Sequence, residues 1–185
     1  MKTQSRSVLI LTLVLGTTGL AMADNDSYSL DKWKATPKNT LNKVDHDKYL
    51  KECGSCHFAY QPGLLPAISW ERMMANLSDH FGDNAELPAD EATTIRNYLL
   101  NNAAGRVNAT LPKKIMQGSD AKQPVMRITE TTYFIKEHHE LTPKMVKDNP
   151  EVRSLSRCDA CHTRASEASF SEREIKIPGY GRWED

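Results

Sequence analysis

The chain has 185 residues, of which 39% are apolar, and its 24 basic and 24 acidic side chains balance to no net charge. With no basic stripe, a nucleic-acid role has no support. After the N-terminal segment no apolar run approaches the roughly 20 residues of a membrane span. The length fits one compact domain or two small modules, and so polar a chain is short of side chains for a core.

In chain order, Lys2 and Arg6 form a positive start, residues 8–15 an almost unbroken apolar stretch, and Ala21-Met22-Ala23 a small-x-small cleavage site. That pattern reads as a signal peptide over residues 1–23 rather than an uncleaved anchor. The mature chain then starts at Asp24 with 162 residues, 22 basic and 24 acidic, a formal charge of −2. The expected location is a bacterial periplasm, with no membrane span once processed.

Residues 24–42 read as a polar arm, and residues 44–58 as a helix. Gln61-Pro62-Gly63-Leu64-Leu65-Pro66 is a loop. Ser69 is read as the cap of a helix whose Trp70, Met73, Met74 and Leu77 face inward. Leu87-Pro88 starts a third helix to about Asn101, with Ile95, Tyr98 and Leu99 buried. Gly105, Pro112 and Gly118 mark residues 101–122 as connection. Residues 130–141 read as a helix carrying Tyr133, Phe134, His138 and His139, and Thr142-Pro143 opens another short one. Asn149-Pro150 leads into a last helix, and residues 166–185 form a loop-rich tail. Almost nothing alternates at strand period, so the fold class is mainly α, with at most a minor β-ribbon.

All four cysteines fall into one signature written twice, Cys53-Gly54-Ser55-Cys56-His57 and Cys158-Asp159-Ala160-Cys161-His162. C-x-x-C-H is the attachment site of a c-type haem. On a helix, positions i, i+3 and i+4 share a face, so two thiols and an imidazole meet one flat ligand from one side. Cys53, Cys56, Cys158 and Cys161 become thioethers, and His57 and His162 bind iron axially. A four-cysteine zinc site would leave both adjoining histidines unexplained, and a thioredoxin-like dithiol would want a βαβ context that this chain does not show. A mixed Cys/His zinc site and disulfides stand as the alternatives. Two covalently bound haems c would also supply the apolar surface the chain lacks.

The sixth ligand sets the chemistry, because an iron with two strong ligands transfers electrons and an open one binds small molecules. His46, His80, His138 and His139 are candidates, with Met73, Met74, Met116, Met126 and Met145 as alternatives. His80 sits in Leu77-Ser78-Asp79-His80-Phe81-Gly82, where Gly82 allows a turn and Asp79 is placed to hold the ring. Of the adjacent His138 and His139, at most one suits a given iron. Three classes stay open: a redox carrier, a peroxidase- or oxyanion-reductase-like enzyme, and a gas sensor.

The chain resembles the small periplasmic dihaem cytochromes c, the DHC-type family. Tyr60, Pro62-Gly63-Leu64-Leu65-Pro66, Ser69-Trp70, His80-Phe81-Gly82 and Tyr98-Leu99 carry the likeness in the first half, besides the first haem motif. Arg127-Ile128-Thr129, Tyr133-Phe134, Glu137-His138 and Ile177-Pro178 carry it in the second. The resemblance implies a class I cytochrome c-like N-terminal haem module over residues 24–104 and a smaller, loop-rich C-terminal module over residues 105–185. It also implies an electron-transfer protein, not an enzyme, with two low-spin bis-histidine haems of low potential. His80 then takes the distal place on the first and His138 on the second. The implied partners are a membrane b-type cytochrome as donor and a small high-spin haem protein as acceptor.

Overall fold

The computed structural model describes residues 41–183. The signal peptide expected over residues 1–23 and most of the polar arm lie outside the described residues.

Six α-helices occur among the described residues: α1 (Asp47–Cys53), α2 (Ala67–Met74), α3 (Ala89–Asn102), α4 (Thr110–Gln117), α5 (Thr132–Glu137) and α6 (Cys158–Cys161). A two-stranded antiparallel ribbon, β1 (Lys176–Ile177) with β2 (Gly181–Arg182), closes the tail. The protein is mainly helical.

α1 is shorter than the helix expected over residues 44–58. His46 opens it, its Nδ1 accepting the Tyr49 N–H at 3.1 Å. Gly54 then caps its end, so Cys56 and His57 follow in a turn. The low helix propensity of Gly54 and Ser55 accounts for the early stop. α2 starts at Ala67, with Pro66 in extended geometry before it. Ser69 is therefore inside the first turn, fully buried, and is not the cap.

The helices α2 and α3 pack on each other, with Trp70 of one and Ile95 and Leu99 of the other in a single apolar cluster that also takes in Val44, Tyr49 and Leu65. Trp70 Nε1 donates to the Pro62 carbonyl at 2.7 Å, pinning the proline loop to that cluster. Arg96 reaches across to Glu71 at 2.7 Å.

The connection expected over residues 101–122 contains a helix. α4 buries Leu111 and Ile115, one turn apart, in a second cluster with Leu41, Leu64, Ala104 and Ala168. Pro112 lies in the first turn of α4, where its missing N–H is no loss. Downstream, Thr131 caps α5 by accepting the Phe134 N–H, and the helix ends at Glu137. His138 and His139 thus follow the helix instead of riding on it. Consecutive turns replace the short helix expected after Thr142, held by Met145 N–H to Thr142 O and Val146 N–H to Pro143 O.

Two halves of the chain meet through polar contacts of long sequence separation. Gln61 Nε2, from the proline loop, donates to the Ala165 carbonyl at 2.6 Å, just past the second motif. The Tyr60 hydroxyl donates to the Ser156 carbonyl at 2.7 Å, just before it.

Two candidate haem stations

The first station is built on the end of α1. Cys53 is its last helical residue and is half-buried, its thiol pushed up to about 11 by burial and then by Glu52. Cys56 and His57 are exposed. His57 Nδ1 lies 2.8 Å from the Phe58 carbonyl, an acceptor only, which keeps the proton on Nδ1 and frees the Nε2 lone pair. The Tyr60 ring stacks on that imidazole, with ring centres 5.0 Å apart.

His80 faces His57 from the other side. Their ring centres are 6.2 Å apart and their planes differ by 19°. A two-residue hairpin presents His80, with its N–H donating to Asp83 O at 2.7 Å and its carbonyl accepting from Asp83. Phe81 and Gly82 at the tip have φ of 59° and 101°, the positive pair of a type I′ turn. The Asp79 carboxylate accepts the Gly82 N–H at 3.1 Å. Asp79 therefore secures the turn that aims His80, in place of the ring contact expected of it. Burial, then His57 and Arg127, hold His80 below the usual histidine range, against a smaller opposing effect of Asp83.

The second station lies on α6. Cys158 and Cys161 are its ends, and His162 follows as its C-cap. Burial, then Asp159, pushes the Cys158 thiol up to about 12. His138 faces His162 with ring centres 6.1 Å apart and planes inclined by 67°. Phe134 lies flat on His138 at 3.8 Å, and His138 Nδ1 sits 2.9 Å from the Phe134 carbonyl, again freeing Nε2. His139 turns outward, 70% exposed, with Nδ1 on the Lys136 carbonyl at 2.8 Å.

Both thiols and both imidazoles of this station open onto a cavity of about 270 Å³. Leu111 and Ile115 of α4, with Phe170 and Ile177, form apolar walls that sequence reasoning left out. The i, i+4 spacing of Leu111 and Ile115 was the available signal, masked by Pro112. His162 Nδ1 is buried without a hydrogen-bond partner. Phe170 packs on this ring, with centres 5.2 Å apart. Burial above all, reinforced by His138 and opposed by Glu174, lowers His162 to about 4. Burial likewise lowers His138, against the Phe134 carbonyl and Glu137. Neutral imidazoles with free lone pairs are the form a metal takes.

The residues fit two haems c. Two imidazoles bound to one iron at roughly 2 Å each have ring centres about 6 Å apart, as both pairs do. Among the described residues no three or more histidine, cysteine or carboxylate groups gather as a metal site. A porphyrin's four nitrogens would complete the set around an iron held by each imidazole pair. Three of the other candidates are engaged elsewhere. His46 caps α1, and Met73 and Met74 pack against the first apolar cluster. No helix among the described residues is long and apolar enough to cross a membrane.

Two such stations define a protein with two covalently attached haems c. The chain belongs to the dihaem cytochrome c family, whose family model matches residues 49–170. Among solved structures it is similar to the dihaem cytochrome c sb-DHC of Shewanella baltica OS155, at 41% identity over 74% of this chain and 96% of that one, with a TM-score of 0.61. It is also similar to the dihaem cytochrome c of Rhodobacter sphaeroides, at 36% identity over 71% of this chain and 99% of that one, with a TM-score of 0.62. No curated protein matches the chain.

Proposed function

We propose that this chain is an exported periplasmic electron carrier whose two haems are low-spin and bis-histidine ligated, His57 with His80 and His162 with His138. The observation that carries the reading is the second imidazole opposite each motif histidine, at 6.2 and 6.1 Å between ring centres. Bound haem c supplies a one-electron ferric–ferrous couple. The chain's part is to hold two neutral imidazoles on each iron through both oxidation states. A second imidazole in place of a methionine sulfur lowers the potential, since Met/His ligation is the arrangement that raises it. Occupied axial positions also leave no place for peroxide, an oxyanion or a gas, so the role is that of a carrier and not an enzyme.

The haem modules of this reading are residues 24–104 and 105–185. Its partners are a membrane b-type cytochrome as donor and a small haem protein as acceptor, each docking weakly over a small area. Low-temperature EPR of the ferric protein, followed by carbon monoxide titration of the reduced protein, tests the ligation. Two low-spin signals and no carbon monoxide uptake are expected. A high-spin component that binds carbon monoxide would replace the carrier with an open-iron enzyme or sensor.

A further inference from the structure

The ring of His138 takes its setting from one neighbour, and a buried hydroxyl sets that neighbour in turn. Phe134 acts on His138 twice. Its ring lies flat on the imidazole, with centres 3.8 Å apart and planes 8° from parallel. Its carbonyl accepts both the His138 backbone N–H at 3.1 Å and the Nδ1–H at 2.9 Å. Where Phe134 sits therefore decides the plane of the imidazole.

Thr131 stands at the start of α5, only 4% exposed, and each of its polar groups is used. Its N–H and its hydroxyl both donate to the Ile128 carbonyl, at 3.1 and 2.8 Å. Its Oγ1 accepts the Phe134 N–H at 3.2 Å, and its carbonyl accepts the Ile135 N–H at 3.0 Å. One residue thus ends the 3-10 turn Ile128–Glu130 and begins α5. Six residues are too few for a helix to hold itself by backbone bonds alone. The placing of Phe134 therefore depends on this cap.

We propose that Thr131 is a positioning residue for the second haem, its hydroxyl setting, through Phe134, the inclination and the Nδ1 hydrogen bond of His138. The inference rests on the bis-histidine reading above and deepens it. Two properties follow from that setting. The 67° between His138 and His162 keeps the iron's two π-type d orbitals nearly degenerate. The Nδ1–H bond to a carbonyl makes the imidazole a stronger donor, which favours ferric iron. None of the four bonds of Thr131 reaches the hairpin that presents His80, so the first haem is a control within the same molecule.

The experiment uses the full haem-loaded protein, with low-temperature EPR of the ferric state and a spectroelectrochemical titration of both haems. T131V keeps the shape of the side chain and removes both hydroxyl bonds; T131S restores them. In T131V the low-spin signal that H138A removes is expected to move to a smaller largest g value. The potential of that haem is expected to rise as its imidazole loses donor strength. The first haem should keep its wild-type signal and potential, and T131S should match wild type at both. A lower melting temperature with wild-type g values and potentials in T131V overturns the proposal, since a merely structural cap would give that result. Equal shifts at both haems, or a T131S protein that behaves like T131V, overturn it too. If T131V does not load haem, T131G carries the same test with the same outcomes, because Gly is tolerated at a helix N-cap. Failure of the bis-histidine reading is distinct: H138A would then leave the wild-type low-spin spectrum unchanged.

Discussion

At the first station Cys56 and His57 are exposed, and His80 is delivered by a hairpin tip lying over the surface. At the second, four elements close around the thiols and imidazoles: α4, α5, α6 and the tail that ends in the β-ribbon. Both motifs share the two cysteines and the histidine at the same spacing, and the facing imidazoles are almost equally far apart, so the motif does not set the environment. What surrounds it does. His57 and His80 lie nearly parallel, whereas His138 and His162 are steeply inclined, because Phe134 fixes the plane of His138 and Phe170 that of His162.

The largest expected effect breaks this comparison one station at a time. H80A and H138A should each convert one of the two haems to a high-spin, carbon monoxide-binding form. H139A should convert neither, since that ring points to solvent. Free imidazole in the buffer should restore the low-spin spectrum of H80A quickly and of H138A slowly, because only the first site is open. Equal rescue rates would remove the distinction between shelf and cavity. The same variants assign the ferric EPR spectrum. Parallel imidazoles split the iron's two π-type d orbitals and steep ones leave them nearly degenerate. H80A should therefore remove a conventional rhombic low-spin signal, and H138A a strongly anisotropic one.

Next in size is a stability contrast. Phe134 is 8% exposed and lies flat on His138, so F134A should cost about 3–5 kcal/mol, as buried phenyl deletions do. That corresponds to a fall in melting temperature of roughly 2–4 °C per kcal/mol for a protein of this size. Phe81, the aromatic neighbour of His80, is 44% exposed. F81A should therefore cost less than about 1 kcal/mol, in line with surface positions outside special packing. Comparable losses in the two variants would mean that the first station is better enclosed than its exposure indicates.

How much of this was legible before the fold is clearest at particular residues. The attachment cysteines and motif histidines are legible because covalent haem chemistry demands those residue types at fixed spacing. The facing places of His80 and His138 are harder, since they depend on what the chain brings opposite each motif. For the first, Gly82 signals the turn in the sequence, but the pairing with His57 depends on the hairpin landing across from α1. For the second, helical periodicity alone cannot separate His138 from His139. The structure ends α5 at Glu137 and turns one ring inward onto Phe134 and the other out. His46 shows the converse. Its position before Asp47 matches a helix N-terminus, and it is used as a cap. The cavity walls were least legible, because Pro112 looks like a breaker unless α4 is known to start at Thr110.

The smallest effect is confined to the tip that aims His80. Phe81 holds φ of 59°, a left-handed conformation that costs a bulky residue about 1–2 kcal/mol. Against that cost, the Arg127 guanidinium lies 3.9 Å from the centre of its ring, a contact worth about 0.5–1 kcal/mol at an exposed site. Asn tolerates the left-handed region and suits the first place of a type I′ turn. F81N should therefore relieve more strain than it loses in stacking, and raise stability by a few tenths of a kcal/mol to about 1 kcal/mol. R127A should cost about 0.5–1 kcal/mol in the wild-type background and clearly less in the F81N background, a double-mutant cycle that isolates the stack. Thermal melts of the four haem-loaded proteins supply the numbers. If R127A costs the same in both backgrounds, Arg127 does not hold the tip through Phe81, and the turn that presents His80 stands on the Asp79 and Asp83 hydrogen bonds alone.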